Sequence, residues 1–219
     1  MFKKKKYTII RQAISKDLAA FIANYFNMKK QVYDTCKKTR YFSPFEQILG
    51  WYESENDQIP NTYSSYSDIA METLMLKCQP KMEQATGLKL YPAYSYARMY
   101  KKGDELKRHK DRFSCEISTT MNLGGDDWPI YLEPNPKKGG IIKDKGYVSE
   151  NTKGIKVDLK QGDMLVYSGC ELEHWRKPFK GKECVQVFLH YNNQKTPGAK
   201  ENIFDTRPHL GLPSWFKWK

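Results

Sequence analysis

Two histidines and one aspartate are spaced so that they can hold a metal ion. His109 and Asp111 flank a single lysine, and His174 lies 63 residues past the aspartate, inside Glu173-His174-Trp175-Arg176. Two imidazoles and one carboxylate form the donor set that grips Fe(II) by one face of an octahedron, leaving the other positions for a co-substrate and dioxygen. Residues at i and i+2 of a strand project from the same face, so an extended segment would aim His109 and Asp111 at one ion. Such a triplet also occurs as ordinary polar loop sequence. Its surroundings argue for a ligand pair: Gly103 precedes it, Gln161-Gly162-Asp163 precedes a strand leading to His174, and Pro178 and Gly181 follow that histidine. A zinc hydrolase could use the same three ligands, but no general base stands nearby.

The other reactive side chains form no competing constellation. His190 and His209 have no carboxylate at ligand spacing and read as structural or surface residues, and Trp175 reads equally as pocket wall or core. The five cysteines, Cys36, Cys78, Cys115, Cys170 and Cys184, are odd in number and include no CxxC pair. That argues against a disulfide scaffold or thiolate zinc site and for a reducing, cytoplasmic setting. After the basic start, Tyr7-Thr8-Ile9-Ile10 is cut short by Arg11, so neither a signal peptide nor a membrane span is expected. Net charge is +12, from 37 Lys+Arg against 25 Asp+Glu. Lys101, Lys102, Lys107, Arg108, Lys110 and Arg112 surround the first two ligands, and Arg176, Lys177, Lys180 and Lys182 follow the third. This predicts either a solvated basic surface or a positive rim that draws an anionic co-substrate, an acidic protein or a nucleic acid.

The elements that must position these residues change character near residue 88. Ser15 is placed to cap a helix whose Leu18, Phe21, Ile22 and Tyr25 recur at i, i+3, i+4 and i+7. Residues 38–66, rich in polar and turn residues, read as an irregular loop over the cleft. Ser67 then caps a second helix carrying Met71, Leu74, Met75 and Cys78, interrupted at Pro80 and stopped by Gly87. From Leu88 the pattern is short strands. Tyr94, Tyr96, Arg98 and Tyr100 share one face, with Ser95, Ala97 and Met99 on the other; residues 116–123, 129–132, 154–159, 164–167 and 184–191 follow, separated by Gly, Pro and Asp turns. Two helices and then many strands predict an α+β chain, a sandwich or barrel backed by helices. Three regions are expected: 1–87 as a helical support, 88–193 as the core, and 194–219 as a tail whose Trp215, Phe216 and Trp218 pack back on the body.

The run Arg98-Met99-Tyr100-Lys101-Lys102-Gly103-Asp104-Glu105-Leu106-Lys107-Arg108-His109-Lys110-Asp111 has a counterpart in Lys160-Gln161-Gly162-Asp163-Met164-Leu165-Val166-Tyr167 continuing to His174, Pro178 and Gly181. Together they resemble the two-part signature of the 2-oxoglutarate/Fe(II)-dependent dioxygenase superfamily, nearest its prolyl 4-hydroxylase-like group. The resemblance covers about residues 88–192. It implies a double-stranded β-helix (jelly-roll) core; residues 1–87 carry no part of the signature, and their helices are expected to pack against that core. It implies Fe(II) held by His109, Asp111 and His174, with 2-oxoglutarate and dioxygen as co-substrates and ascorbate as an accessory. The far carboxylate of 2-oxoglutarate needs a cation, which that group carries nine or ten residues past the distal histidine. Here those positions are Glu183 and Cys184. Lys182 is the nearest substitute and Arg176 the alternative, though either also reads as an exposed cation. Strand parity puts Lys182, Cys184, Gln186, Phe188 and His190 on one face, a polar lumen, and Val185, Val187 and Leu189 on an apolar back. Tyr100 occupies a position where related enzymes place a tyrosine near the co-substrate; Arg98 and Asn122 are weaker pocket candidates.

The expected activity is hydroxylation of a C–H bond, of a protein side chain such as proline, with release of succinate and CO2. Two other classes stand beside it: oxidation of a nucleic-acid base by the same chemistry, drawing on the basic residues and tyrosines, and a non-catalytic jelly-roll binding module. The expected partners are 2-oxoglutarate and a protein or peptide substrate, with nucleic acid not favoured and no membrane.

Overall fold

Alternating apolar and polar residues from Leu90 onward build two facing antiparallel sheets, and the preceding segments complete and cover them. A computed structural model describes residues 2–43, 47–143 and 146–217. In chain order the elements are α1 (Phe2–Lys5), β1 (Tyr7–Ile10), α2 (Lys16–Thr39), β2 (Trp51–Tyr52), β3 (Tyr63–Tyr66), α3 (Ile69–Thr86), β4 (Leu90–Lys101), β5 (Leu106–His109), β6 (Ile117–Gly125), β7 (Ile130–Leu132), β8 (Gly140–Lys143), β9 (Gly146–Ser149), β10 (Ile155–Val157), β11 (Met164–Ser168), β12 (His174–Arg176) and β13 (Glu183–Asn193). The larger sheet has the order β1-β11-β6-β13-β4-β3-β2, the smaller one β10-β7-β12-β5, and β8-β9 is a separate hairpin. This is the predicted α+β jelly roll with helices against it. The N-terminal region supplies strands β1, β2 and β3 as well as helices.

The back of the larger sheet meets the helices. Val185, Val187 and Leu189 of β13, with Ala97 and Met99 of β4, join the main core that also takes in Phe26 of α2 and Met75 of α3. Ser15 caps α2 as predicted, accepting the Leu18 N–H at 3.2 Å. The buried stripe is different, however: Ala19, Ile22, Ala23 and Phe26 face inward, and Phe21 is 70% exposed. Ala23 lies directly over Gly124, so close approach of helix to sheet selects the small residues and turns the larger Phe21 outward.

In α3 the cap is Asp68 rather than Ser67, its Oδ1 accepting from the Ala70 and Met71 N–H groups at 2.9 and 3.1 Å. Ser67 instead donates its hydroxyl to Glu72. Pro80 does not interrupt the helix, which runs on to a left-handed Gly87, because buried Cys78 and Met82 hold it on either side of the proline. Residues 38–66 are only partly irregular, since α2 extends to Thr39 and β2 and β3 pair at the sheet edge. The aromatic tail is also corrected. Trp215 and Phe216 are 66% and 45% exposed and touch each other, while Trp218 lies outside the described residues. The tail is fastened by Arg207, fully buried, which donates to Glu72 at 2.9 Å and to the Ala93 carbonyl at 3.0 Å. Among the described residues no helix is long and apolar enough to cross a membrane, and all five cysteines are free.

Candidate active site

The two sheets enclose a cavity of about 330 Å³, and the three predicted ligands meet at it. His109 ends β5, His174 begins β12, and the register places them directly opposite each other, ring centroids 4.2 Å apart. Asp111 is not on the strand. It sits in the loop after β5, where its N–H donates to the Gly169 carbonyl at 2.9 Å, just past the end of β11. The aspartate therefore reaches the histidines from a loop tied to the larger sheet, not by strand alternation. Its Oδ1 stands 3.6 Å from His109 Nε2 and 3.5 Å from His174 Nε2. All three donor atoms lie within 4.8 Å of one another.

Hydrogen bonds behind the rings set their tautomers. His109 Nδ1 lies 2.8 Å from the Lys107 carbonyl and His174 Nδ1 3.0 Å from the Leu172 carbonyl. A carbonyl can only accept, so each Nδ1 carries the proton and each Nε2 presents a lone pair to the shared point. Burial, aided by the neighbouring His174, lowers the His109 imidazole to about 4. Burial alone would raise the Asp111 carboxyl, but His174 and then His109 pull it well below the usual carboxylate range. Burial opposes a charge on His174 as well, yet the Asp111 carboxylate raises its pKa. Two lone pairs and a carboxylate oxygen aimed at one point are the donor set of a divalent cation, and the mixed nitrogen–oxygen character suits iron.

One wall of the cavity is the predicted face of β4: Tyr94, Tyr96, Arg98 and Tyr100. Tyr100 is buried and packs edge-on against Trp128 at 4.7 Å. Glu53, Asp57 and Gln58 come from the 38–66 segment, which does reach over the cleft as expected. Glu53 ties that segment down by a buried ion pair with Arg98 at 3.0 Å.

The two candidate cations part ways. Lys182 is exposed, lies one residue before β13, uses its backbone N–H on Asp126, and does not line the cavity. Parity with the lumen face cannot bring in a side chain that precedes the strand. Arg176 is fully buried. Like Lys182 it is not among the cavity's lining residues; it donates to Thr120 Oγ1 at 2.9 Å and to the Trp128 carbonyl, while its Nε has no partner and no carboxylate pairs with it among the described residues. Burial pushes its pKa down, and among the groups opposing that fall are Cys184 and the cavity tyrosines Tyr100 and Tyr167. Asn122 is buried, bonded to the Leu159 carbonyl, and lies outside the lining.

The basic residues around the three proposed ligands divide: Lys102, Lys107, Lys177, Lys180 and Lys182 are exposed, while others are paired or interior. Arg108 pairs with Glu173 at 2.9 Å and lies over Trp175, Arg112 pairs with Asp205, Lys101 with Asp104, and Arg176 is interior. Trp175 is thereby a buried stacking platform, facing Tyr131 and Arg108. His190, read from sequence as structural, lines the cavity and bonds to Ser118. Its place on the lumen face of β13 was the available signal.

Neither a protein-family model nor a curated protein matches the sequence. Solved structures do. A prolyl-4-hydroxylase from Pseudomonas putida aligns with TM-score 0.54 and 14% identity over 88% of this chain and 95% of its own. AviO1 from Streptomyces viridochromogenes Tue57 aligns with TM-score 0.61 and 15% identity over 90% and 94%. The viral collagen prolyl hydroxylase of Paramecium bursaria Chlorella virus-1, solved as a 2-oxoglutarate complex, aligns with TM-score 0.52 and 12% identity over 87% and 98%. The chain has the jelly-roll fold of these proteins, whose members include 2-oxoglutarate/Fe(II) oxygenases.

Proposed function

We propose that the chain is a non-haem Fe(II)- and 2-oxoglutarate-dependent dioxygenase that hydroxylates a C–H bond, releasing succinate and CO2. The observation that carries this reading is the pair of register-matched histidines whose Nε2 atoms converge on a single oxygen of Asp111. Iron with 2-oxoglutarate and dioxygen would supply the oxidation; the protein supplies ligation, orientation and a pocket. His109, Asp111 and His174 would hold the metal.

Arg176 is the side chain that fits the far carboxylate of 2-oxoglutarate. It is a buried cation with an unused donor and no paired carboxylate among the described residues, within Coulombic reach of Cys184. Cys184 stands at one of the two positions where the prolyl hydroxylase-like pattern carries its own cation. The guanidinium enters the same neighbourhood from β12 instead of β13. Tyr100, buried in the cavity wall within Coulombic reach of Arg176, lies beside the co-substrate path.

For the substrate, we favour a protein side chain such as proline, by analogy with the hydroxylases of the same fold. Base oxidation is disfavoured because the arginines near the cleft are already held by Glu173, Asp205 and the interior. The test is anaerobic titration of Fe(II) and 2-oxoglutarate. A weak visible charge-transfer band at one equivalent is expected, together with 2-oxoglutarate-dependent succinate formation that is lost in His174→Ala. No band in the native chain, or turnover persisting in that variant, overturns the assignment.

A further inference from the structure

Asp111 has two oxygens, and only Oδ1 faces the imidazoles. Oδ2 lies 3.0 Å from Ser118 Oγ, which in turn lies 3.0 Å from His190 Nδ1 and 2.8 Å from the Cys115 carbonyl. The serine hydroxyl has one proton to give, and a carboxylate is a stronger acceptor than a carbonyl. His190 Nδ1–H then donates to the serine oxygen, and the chain runs from His190 through Ser118 to Asp111. Ser118 is fully buried and His190 is 6% exposed. The His190 ring packs on Tyr94 at 4.5 Å, Tyr94 stacks on Tyr66 at 4.9 Å, and the Tyr66 hydroxyl donates to Asp205 at 2.6 Å. Gly169 leaves the room this needs, because a side chain there would run into Asp111 Oδ2 and Ser118 Oγ.

We propose that Ser118 and His190 are positioning residues that keep Asp111 a one-oxygen ligand. The inference rests on the metal assignment above. A carboxylate that bound through both oxygens would occupy a position that the co-substrate or dioxygen requires. Holding Oδ2 in a hydrogen bond prevents this and fixes Oδ1 toward the histidines. Asp111, Cys115 and His190 also have donor atoms within 4.8 Å of one another, which on distance alone describes a second metal site. In this structure His190 Nδ1 bonds to Ser118 and Cys115 Sγ to the Tyr94 hydroxyl at 3.0 Å, so the brace is the reading these contacts support.

The experiment is Co(II) titration of the full chain, read by binding and by the visible d–d spectrum. The native chain binds one equivalent. Ser118→Ala binds about tenfold or more weakly with a changed spectrum, and Ser118→Thr, which keeps the hydroxyl, restores both. His190→Phe keeps the ring and removes the donor, so it tests the chain from its other end should the Ser118 variants misfold. It is expected to shift the spectrum in the same direction. Native affinity and spectrum in Ser118→Ala, or in His190→Phe, overturn the proposal. A second equivalent that disappears in Cys115→Ala also overturns it, assigning His190 to an ion of its own. Failure of the native chain to bind at all sinks the metal assignment instead.

Discussion

Each side chain of the site is defined by what stands behind it. His109 and His174 are suited to hold a metal because the carbonyls of Lys107 and Leu172 take their Nδ1 protons, leaving both Nε2 lone pairs toward Asp111. Arg176 and Lys182 carry the same charge, but one is enclosed with an unused donor and the other is in water. Arg176→Ala is therefore expected to raise the apparent 2-oxoglutarate requirement at least about tenfold, the low end of the cost of losing a charged hydrogen bond. Lys182→Ala should leave it within about twofold. Steady-state succinate assays across 2-oxoglutarate concentrations check the ranking, and the reverse order returns the anchor to Lys182. Ligand binding has a pH direction as well. Asp111 raises the His174 pKa, and a metal must displace that proton, so Fe(II) affinity should fall as pH drops through the His174 titration. Equilibrium metal binding across pH checks it.

Among the helices and strands, which face is buried decides what a substitution costs. Phe26 of α2 is fully buried and Phe21 is 70% exposed, so Phe26→Ala should lose about 3–5 kcal/mol and Phe21→Ala less than about 0.5 kcal/mol in urea unfolding. Similar losses would return Phe21 to the inner face. The segment after β5 is clamped to the tail by Asp205, which accepts from Arg112 twice at 2.9 Å, from Ser114 at 2.6 Å and from Tyr66. Burial would raise the Asp205 carboxyl, but these donors, Arg112 first, hold it well below the usual range. A depressed folded pKa means stability that is present above the unfolded value near 3.9 and lost as pH falls below it. Arg112 is half exposed, which limits the loss in Asp205→Asn to about 2 kcal/mol near neutral pH. The gap to the native chain should close below about pH 4, read as converging melting temperatures; a constant gap would refute the clamp.

The molecule as a whole carries +12, yet Arg98, Arg108 and Arg112 beside the cleft are paired with Glu53, Glu173 and Asp205. Binding to DNA or RNA oligonucleotides should accordingly be weak and vanish by about 0.2 M salt, as expected of a diffuse basic surface. Tight binding that survives that salt in a filter or anisotropy assay would revive base oxidation. The surroundings of the cavity draw on both ends of the chain: Glu53 and Asp57 line it from before the core, and Asp205 clamps the segment after β5 from beyond it.

What could be read from the chain alone was whatever local pattern encodes. The lumen face Tyr94-Tyr96-Arg98-Tyr100 and the Ser15 cap follow from strand and helix period, and the H-x-D pair with its distant histidine was visible as a motif, although strand alternation is not what brings Asp111 to the histidines. The rotated face of α2, the passage of α3 through Pro80, the burial of Arg176 against the exposure of Lys182 and the Ser118–His190 hydrogen bond did not. Several depend on contacts between residues far apart in sequence: Ala23 over Gly124, Arg176 on Thr120 and the Trp128 carbonyl, Ser118 on His190. Periodicity states which side chains share a face, but only packing in three dimensions settles how deeply a face is buried and which charge is left without a partner.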